Sequence, residues 1–196
     1  LMVGKRGGRK SCKQADINDL MVRLARQGKR VVRLKAGDPM IFGRAGEEIA
    51  RLDREGIPVS IIPGITAALA AASTFGVSLT HRDHAHSVRF VTGYSKRGGF
   101  PDSLDWRGIA DPETSLIFYM GGRTAARVAD RLVAHGLPPE TPVAAAASVT
   151  QADEAIWTGT LRELLDGGSP LGIDRPVLIG VGQVFAAVRV ASNYAA

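Results

Sequence analysis

Apolar positions recur at helical spacing over residues 15–27, where Ile17, Leu20, Met21 and Leu24 share one face and Gly28 supplies the stop. Arg30 to Leu34 reads as a short strand ending in the turn Lys35-Ala36-Gly37-Asp38-Pro39. A helix over about 44–55 ends at Gly56, a strand over 59–62 is closed by Pro63-Gly64, and an alanine-rich helix over 65–75 ends at Gly76. Leu1-Met2-Val3-Gly4 reads as the end of a buried strand. Strands alternating with helices through short connections predict a parallel α/β sheet, whose ligands sit beyond the carboxyl ends of the strands. The turns after 34 and 62 are therefore the places to look for a site.

The polar stretch Thr80 to His86 interrupts this pattern and predicts an interdomain crossing. Beyond it, strands are expected over 87–92, 115–120, 143–147, 155–158 and 177–181, with helices over 124–135 and 161–166. Residues 93–105 read as a glycine-rich loop. The expected architecture is α/β: two small α/β domains, over 1–80 and 87–196, joined by a linker over 81–86 and sharing a cleft.

Composition changes this picture little. With 45% hydrophobic and 22% charged residues, the 196-residue chain fits neither disorder nor a collagen or coiled coil. The charge-free run over 56–80 is long enough for a membrane span, but Pro58, Pro63, Gly64 and Gly76 divide it into strand, turn and helix. A single cysteine, Cys12, and the lack of a charged-then-apolar leader lead to the expectation of a cytoplasmic protein.

Charge distribution adds more. The net charge is +6, yet residues 1–35 hold eleven basic side chains against Asp16 and Asp19. That asymmetry points to an anionic partner, with a polycarboxylate and nucleic acid as candidates and a solvated basic helix face as the plain alternative. In Lys5-Arg6-Gly-Gly-Arg9-Lys10, glycines interleave the cations, so backbone amides and charges can meet on one anion. No aromatic accompanies them, which disfavours a single-strand stacking platform.

Gly37-Asp38-Pro39 is ordinary turn punctuation on its own. Here apolar Met40, Ile41 and Phe42 follow it, and an apolar wall beside a carboxylate suits a ligand with a cationic amine, or with ribose hydroxyls and a hydrophobic base. His81, His84 and His86 invite a metal reading, but Arg82 and Asp83 between them favour a polar linker. The chain has no Gly-x-Ser-x-Gly elbow, no strand-following Gly-x-Gly-x-x-Gly and no phosphate-loop pattern. These absences argue against a hydrolase, a dehydrogenase and a nucleoside triphosphatase.

Seven segments in order resemble the uroporphyrinogen-III C-methyltransferases, a branch of the tetrapyrrole methylases that also forms the C-terminal half of siroheme synthases. They are Val3-Gly4-Lys5-Arg6, Val31 to Pro39, Ile41-Phe42-Gly43-Arg44, Pro63 to Ala68, Leu79-Thr80-His81-Arg82, Val88 to Gly93 and Phe118-Tyr119-Met120-Gly121. The resemblance implies a two-domain homodimer binding S-adenosylmethionine between its domains. The implied reaction methylates two ring carbons of uroporphyrinogen III in turn, giving precorrin-2 and two S-adenosylhomocysteines. Lys5 matches the lysine assigned as proton donor. Ala36, Gly37, Asp38, Ile41, Thr66, Ala67 and Met120 match cofactor contacts, and Val149 stands at a further one. Arg6, Arg82 and Arg123 are the cations expected to hold the substrate's carboxylates. The family's first strand, its glycine-rich loop and a proton-accepting aspartate would precede Leu1. The chain departs from the family where Ala36 replaces glycine, over 145–150, and at Gly122-Arg123-Thr124. A methylase of a later corrin intermediate and a non-catalytic fragment of the same fold are the alternatives.

Overall fold

Helix α1 (Gln14–Arg26) forms where the spacing of Ile17 and Met21 predicts it, and Gly28 ends it at φ +72°. The computed structural model describes residues 1–3, 12–95, 99–167 and 171–189. Contacts along the chain divide it into two units, Leu1–Thr66 and Ala67–Ala196.

In the first unit α1 meets α2 (Ala45–Asp53) through charged and polar side chains. Gln14 Nε2 donates to Glu48 Oε1 at 3.0 Å, Arg51 pairs with Asp19 at 3.2 Å, and Glu55 accepts from both Arg26 and Arg51. Part of the basic excess of residues 1–35 is thus answered internally, by Glu48 and Glu55. The segments expected as strands over 30–34 and 59–62, and the first three residues, belong to no sheet. The parallel sheet expected in this half is absent among the described residues. Valines, isoleucines and a leucine gave these segments strand character, but a strand exists only with a hydrogen-bonded neighbour, and none of the described residues pairs with them. Val32, Leu34 and Ile62 are accordingly about four-fifths exposed.

The second unit holds one five-stranded mixed sheet. Its strands are β1 (Ser87–Thr92), β2 (Thr114–Tyr119), β3 (Pro142–Ala147), β4 (Ala155–Thr160) and β5 (Val177–Val181), in the order β1-β2-β5-β3-β4. Only β1 and β2 run parallel; the other neighbours are antiparallel. Helices α3 (Ala67–Phe75), α4 (Trp106–Ile109), α5 (Ala125–Ala134) and α6 (Leu161–Gly167) complete the unit. The central strands are covered on both faces, which explains their unbroken apolar runs. Val143, Ala145 and Ala147 join Val128, Leu132 and Leu164 in one core, while Ala144 and Ala146 face Ala68, Ala71 and Phe75 in the other.

Helix α3 therefore belongs to the second unit's core, whereas the sequence division placed it in a domain ending at residue 80. Residues 81–86 form a closed turn within this unit, in which His81 and Ala85 exchange two backbone hydrogen bonds of 2.9 Å. The connection between β1 and β2 also contains more order than its glycines suggest. Asp105 caps α4 by accepting from Gly108 N–H at 3.0 Å, and Trp106 stacks with both Phe100 and Phe118. Among the described residues, no helix is long and apolar enough to cross a membrane.

Candidate active site

In the first unit the expected contact residues lie on a loop that folds back on itself. Gly37 takes φ +68°, and the Asp38 carboxylate then serves two amides: Oδ1 accepts from Met40 N–H at 2.8 Å and Oδ2 from Gly64 N–H at 2.9 Å. These two bonds, Gly64 first, hold the Asp38 carboxyl below the ordinary carboxylate value. Asp38 thus joins the turn after residue 34 to the turn after residue 62, a use the sequence did not disclose. A side chain at Gly64 would overlap the carbonyl oxygen of Gly37, so the close approach requires glycine. Ala36 and Gly37 are exposed, and Met40, Phe42 and Ile65 present apolar surface beside them.

The second unit gathers other expected residues. Ala68 N–H, in the first turn of α3, donates to Tyr119 Oη at 3.1 Å, tying the segment of Ala67 to the end of β2, where Met120 follows. Met120 stands half-exposed at φ +58°. Behind it the turn is tight: Gly121 N–H donates to Val177 O at 3.1 Å, and the buried Thr124 hydroxyl donates to Gly93 O at 2.7 Å. Val149 lies between Ser148 (φ +50°) and Thr150 (φ +65°). Ser148 Oγ donates to Asp153 at 3.0 Å and Thr150 N–H to Glu154 at 2.7 Å, while Thr74 of α3 also reaches Glu154 at 3.4 Å.

Positive φ is costly for residues with a side chain. Among the described residues it occurs outside glycine at Phe42, Arg44, Met120, Ser148 and Thr150. All five lie in the loops that carry Ile41, Met120 and Val149. Backbone strain of this kind concentrates where a ligand must be met by a defined surface.

The expected substrate cations are less organised. Arg82 is exposed in the 81–86 turn, where its carbonyl oxygen is 2.7 Å from His86 Nε2. That contact, with Glu113 nearby, raises the His86 pKa above its usual 6.5. Arg123 is exposed, 3.8 Å from Asp174. Lys5 and Arg6 lie outside the described residues. The rings of His81 and His84 stack at 4.6 Å, and no metal-binding cluster of three or more His, Cys, Asp or Glu occurs among the described residues. A hollow of about 560 Å³ within the second unit is lined by Leu69, Val77, Val88 and Phe90, but by none of the expected contact residues.

Sequence reasoning passed over Tyr119, Gly64, Glu48 and Glu154 as supports. One signal was available: Ala45 and Glu48 share the buried face of α2, and a carboxylate on such a face needs a cationic partner. Nothing in the pattern pointed to the Tyr119 hydroxyl.

Residues 3–165 match the signature of the Tetrapyrrole (Corrin/Porphyrin) Methylases, and the chain belongs to that family. It is 48% identical over 186 residues to siroheme synthase 1 of Serratia proteamaculans, covering 94% of this chain and 38% of that protein. The siroheme synthase of Escherichia coli is 46% identical over 184 residues, with 94% and 39% covered. The chain thus spans about two-fifths of the length of these relatives. Among solved structures, the uroporphyrin-III C-methyltransferase of Thermus thermophilus in complex with S-adenosylhomocysteine matches at a TM-score of 0.77. It shares 36% identity, and the match covers 88% of this chain and 74% of that one. A cobalt precorrin-4 methyltransferase matches at 0.78 with 27% identity, covering 89% and 72%.

Proposed function

We propose that this chain is an S-adenosylmethionine-dependent methyltransferase that C-methylates uroporphyrinogen III twice, giving precorrin-2 for siroheme or cobalamin synthesis. One observation carries the reading: the loop of residues 36–42 is pinned to Gly64 by Asp38, yet leaves Ala36, Gly37, Met40 and Phe42 at the surface. Backbone polar groups beside apolar side chains fit a nucleoside attached to an amino acid. The relatives support this choice, since the structure sharing 36% identity is a uroporphyrin-III methyltransferase and the later-acting corrin enzyme shares 27%.

On this reading Ala36, Gly37, Asp38, Ile41, Thr66, Ala67, Met120 and Val149 hold the cofactor. When bound, it supplies an electrophilic methyl group on a cationic sulfur. The Asp38 oxygens fix the two turns that would hold it. Arg6, Arg82 and Arg123 hold the carboxylates that ring the macrocycle. Aligning the ring carbon with the methyl supplies much of the rate, so the strained loops act by positioning. The Lys5 Nζ moves a proton. The working enzyme is a cytoplasmic homodimer.

Incubation with methyl-labelled cofactor and uroporphyrinogen III tests the proposal. Two methyl groups per macrocycle and two S-adenosylhomocysteines are expected. Cofactor binding with methyl transfer only to a precorrin that already carries methyl groups would move the chain to a later step.

A further inference from the structure

Glu48 is an almost fully buried carboxylate, 5% exposed, on the inner face of α2. Its Oε2 pairs with Lys35 Nζ at 2.8 Å, and its Oε1 accepts from Gln14 at 3.0 Å and from Arg33 Nε at 3.3 Å. The Lys35 side chain, 11% exposed, also donates to the carbonyl oxygen of Gly43. Lys35 and Gly43 are the first and last residues of the loop that carries Ala36, Gly37, Asp38 and Ile41. One ammonium group thereby bridges the two ends of that loop, and Glu48 holds the ammonium in place.

Inside the neck, the loop turns back so closely that a side chain at Gly43 would lie 2.5 Å from Pro39 O. Its middle is fixed separately, by Asp38 to Gly64. We infer that Glu48 is a positioning residue: acting through Lys35, it closes the neck of the 35–43 loop and sets the backbone that meets the cofactor. The inference rests on the function proposed above. Neutralising Glu48 leaves the buried Lys35 ammonium without its counter-charge, and removing Lys35 takes away the group that reaches Gly43, so either change opens the neck. Burial disfavours the charged carboxyl, but the bonds from Lys35 and Gln14 and the charges of Lys35 and Arg33 outweigh it and keep Glu48 ionised.

The test compares Glu48→Gln, Lys35→Met and the double variant with Asp53→Asn, an exposed change on the same helix. In the ligand-free protein, hydrogen exchange at the Met40 and Ile41 amides is expected to quicken about ten-fold in Glu48→Gln, with α1 and the second unit unchanged. S-adenosylhomocysteine affinity, measured by calorimetry, is expected to fall about ten-fold in each single variant and no further in the double, the mark of two groups acting as a unit. Asp53→Asn alters neither. Equal acceleration in α1 and the loop would overturn the inference, because Glu48 would then only join the helices; unchanged loop exchange would overturn it as well. Additive affinity losses in the double variant would contradict action through Lys35. If the starting protein binds no S-adenosylhomocysteine while loop exchange responds as stated, the neck stands and the proposed function falls. Where Glu48→Gln does not fold, Glu48→Asp, which keeps the charge but shortens its reach, is read for the same exchange change, and the same outcomes decide.

Discussion

The Asp38 carboxylate accepts the Gly64 N–H at 2.9 Å, so two turns separated by 26 residues are locked to one another. The bond is available only because Gly64 has no side chain to meet the Gly37 carbonyl. Gly64→Ala is therefore expected to destabilise the protein by about 1–3 kcal/mol, the usual cost of overfilling a packed contact. It also displaces Gly37 and Asp38, so S-adenosylhomocysteine affinity falls with stability. Thermal unfolding and calorimetry on the same samples check both.

Met120 gives the opposite sign for its two effects. Its left-handed backbone costs a side-chain-bearing residue about 1–2 kcal/mol, and its half-exposed side chain recovers little of that by burial. Met120→Gly is expected to raise the melting temperature while weakening cofactor binding. A fall in both would show that Met120 serves the fold.

The turn that carries Arg82 is expected to depend on pH through His86. Its folded pKa is raised, first by the bond to the Arg82 carbonyl and then by Glu113, so the stabilisation is complete below the ordinary 6.5 and disappears as pH rises through the higher folded value. An NMR titration of His86 will show a midpoint above 6.5, and Glu113→Gln will lower it.

If Lys5 moves the proton, Lys5→Met will cut turnover while cofactor affinity stays within a few-fold. Steady-state kinetics and calorimetry separate the two quantities. Equal losses would mark Lys5 as structural.

The second unit was legible because its signals are local. Strand β1 and helix α5 form where a strand over 87–92 and a helix over 124–135 were expected, and Gly136 follows α5 at φ +111°. The first unit was legible for its helices but not for its segments over 30–34 and 59–62, since pairing is a property of neighbours and not of apolar content. The short α4 escaped because four residues carry no period. The site divides in the same way. Turn punctuation located Gly37-Asp38-Pro39 and Pro63-Gly64, but the bond between them joins residues distant in sequence. The Tyr119 hydroxyl on Ala68 and Glu48 beneath Lys35 are likewise products of packing.

Isothermal titration of the protein with S-adenosylhomocysteine tests the central claim most directly, repeated at two salt concentrations and with duplex DNA alongside. The account predicts saturable binding of one nucleoside per chain, almost unchanged by salt and weakened by Gly64→Ala. Absence of nucleoside binding, together with DNA binding that falls steeply with salt, would contradict it.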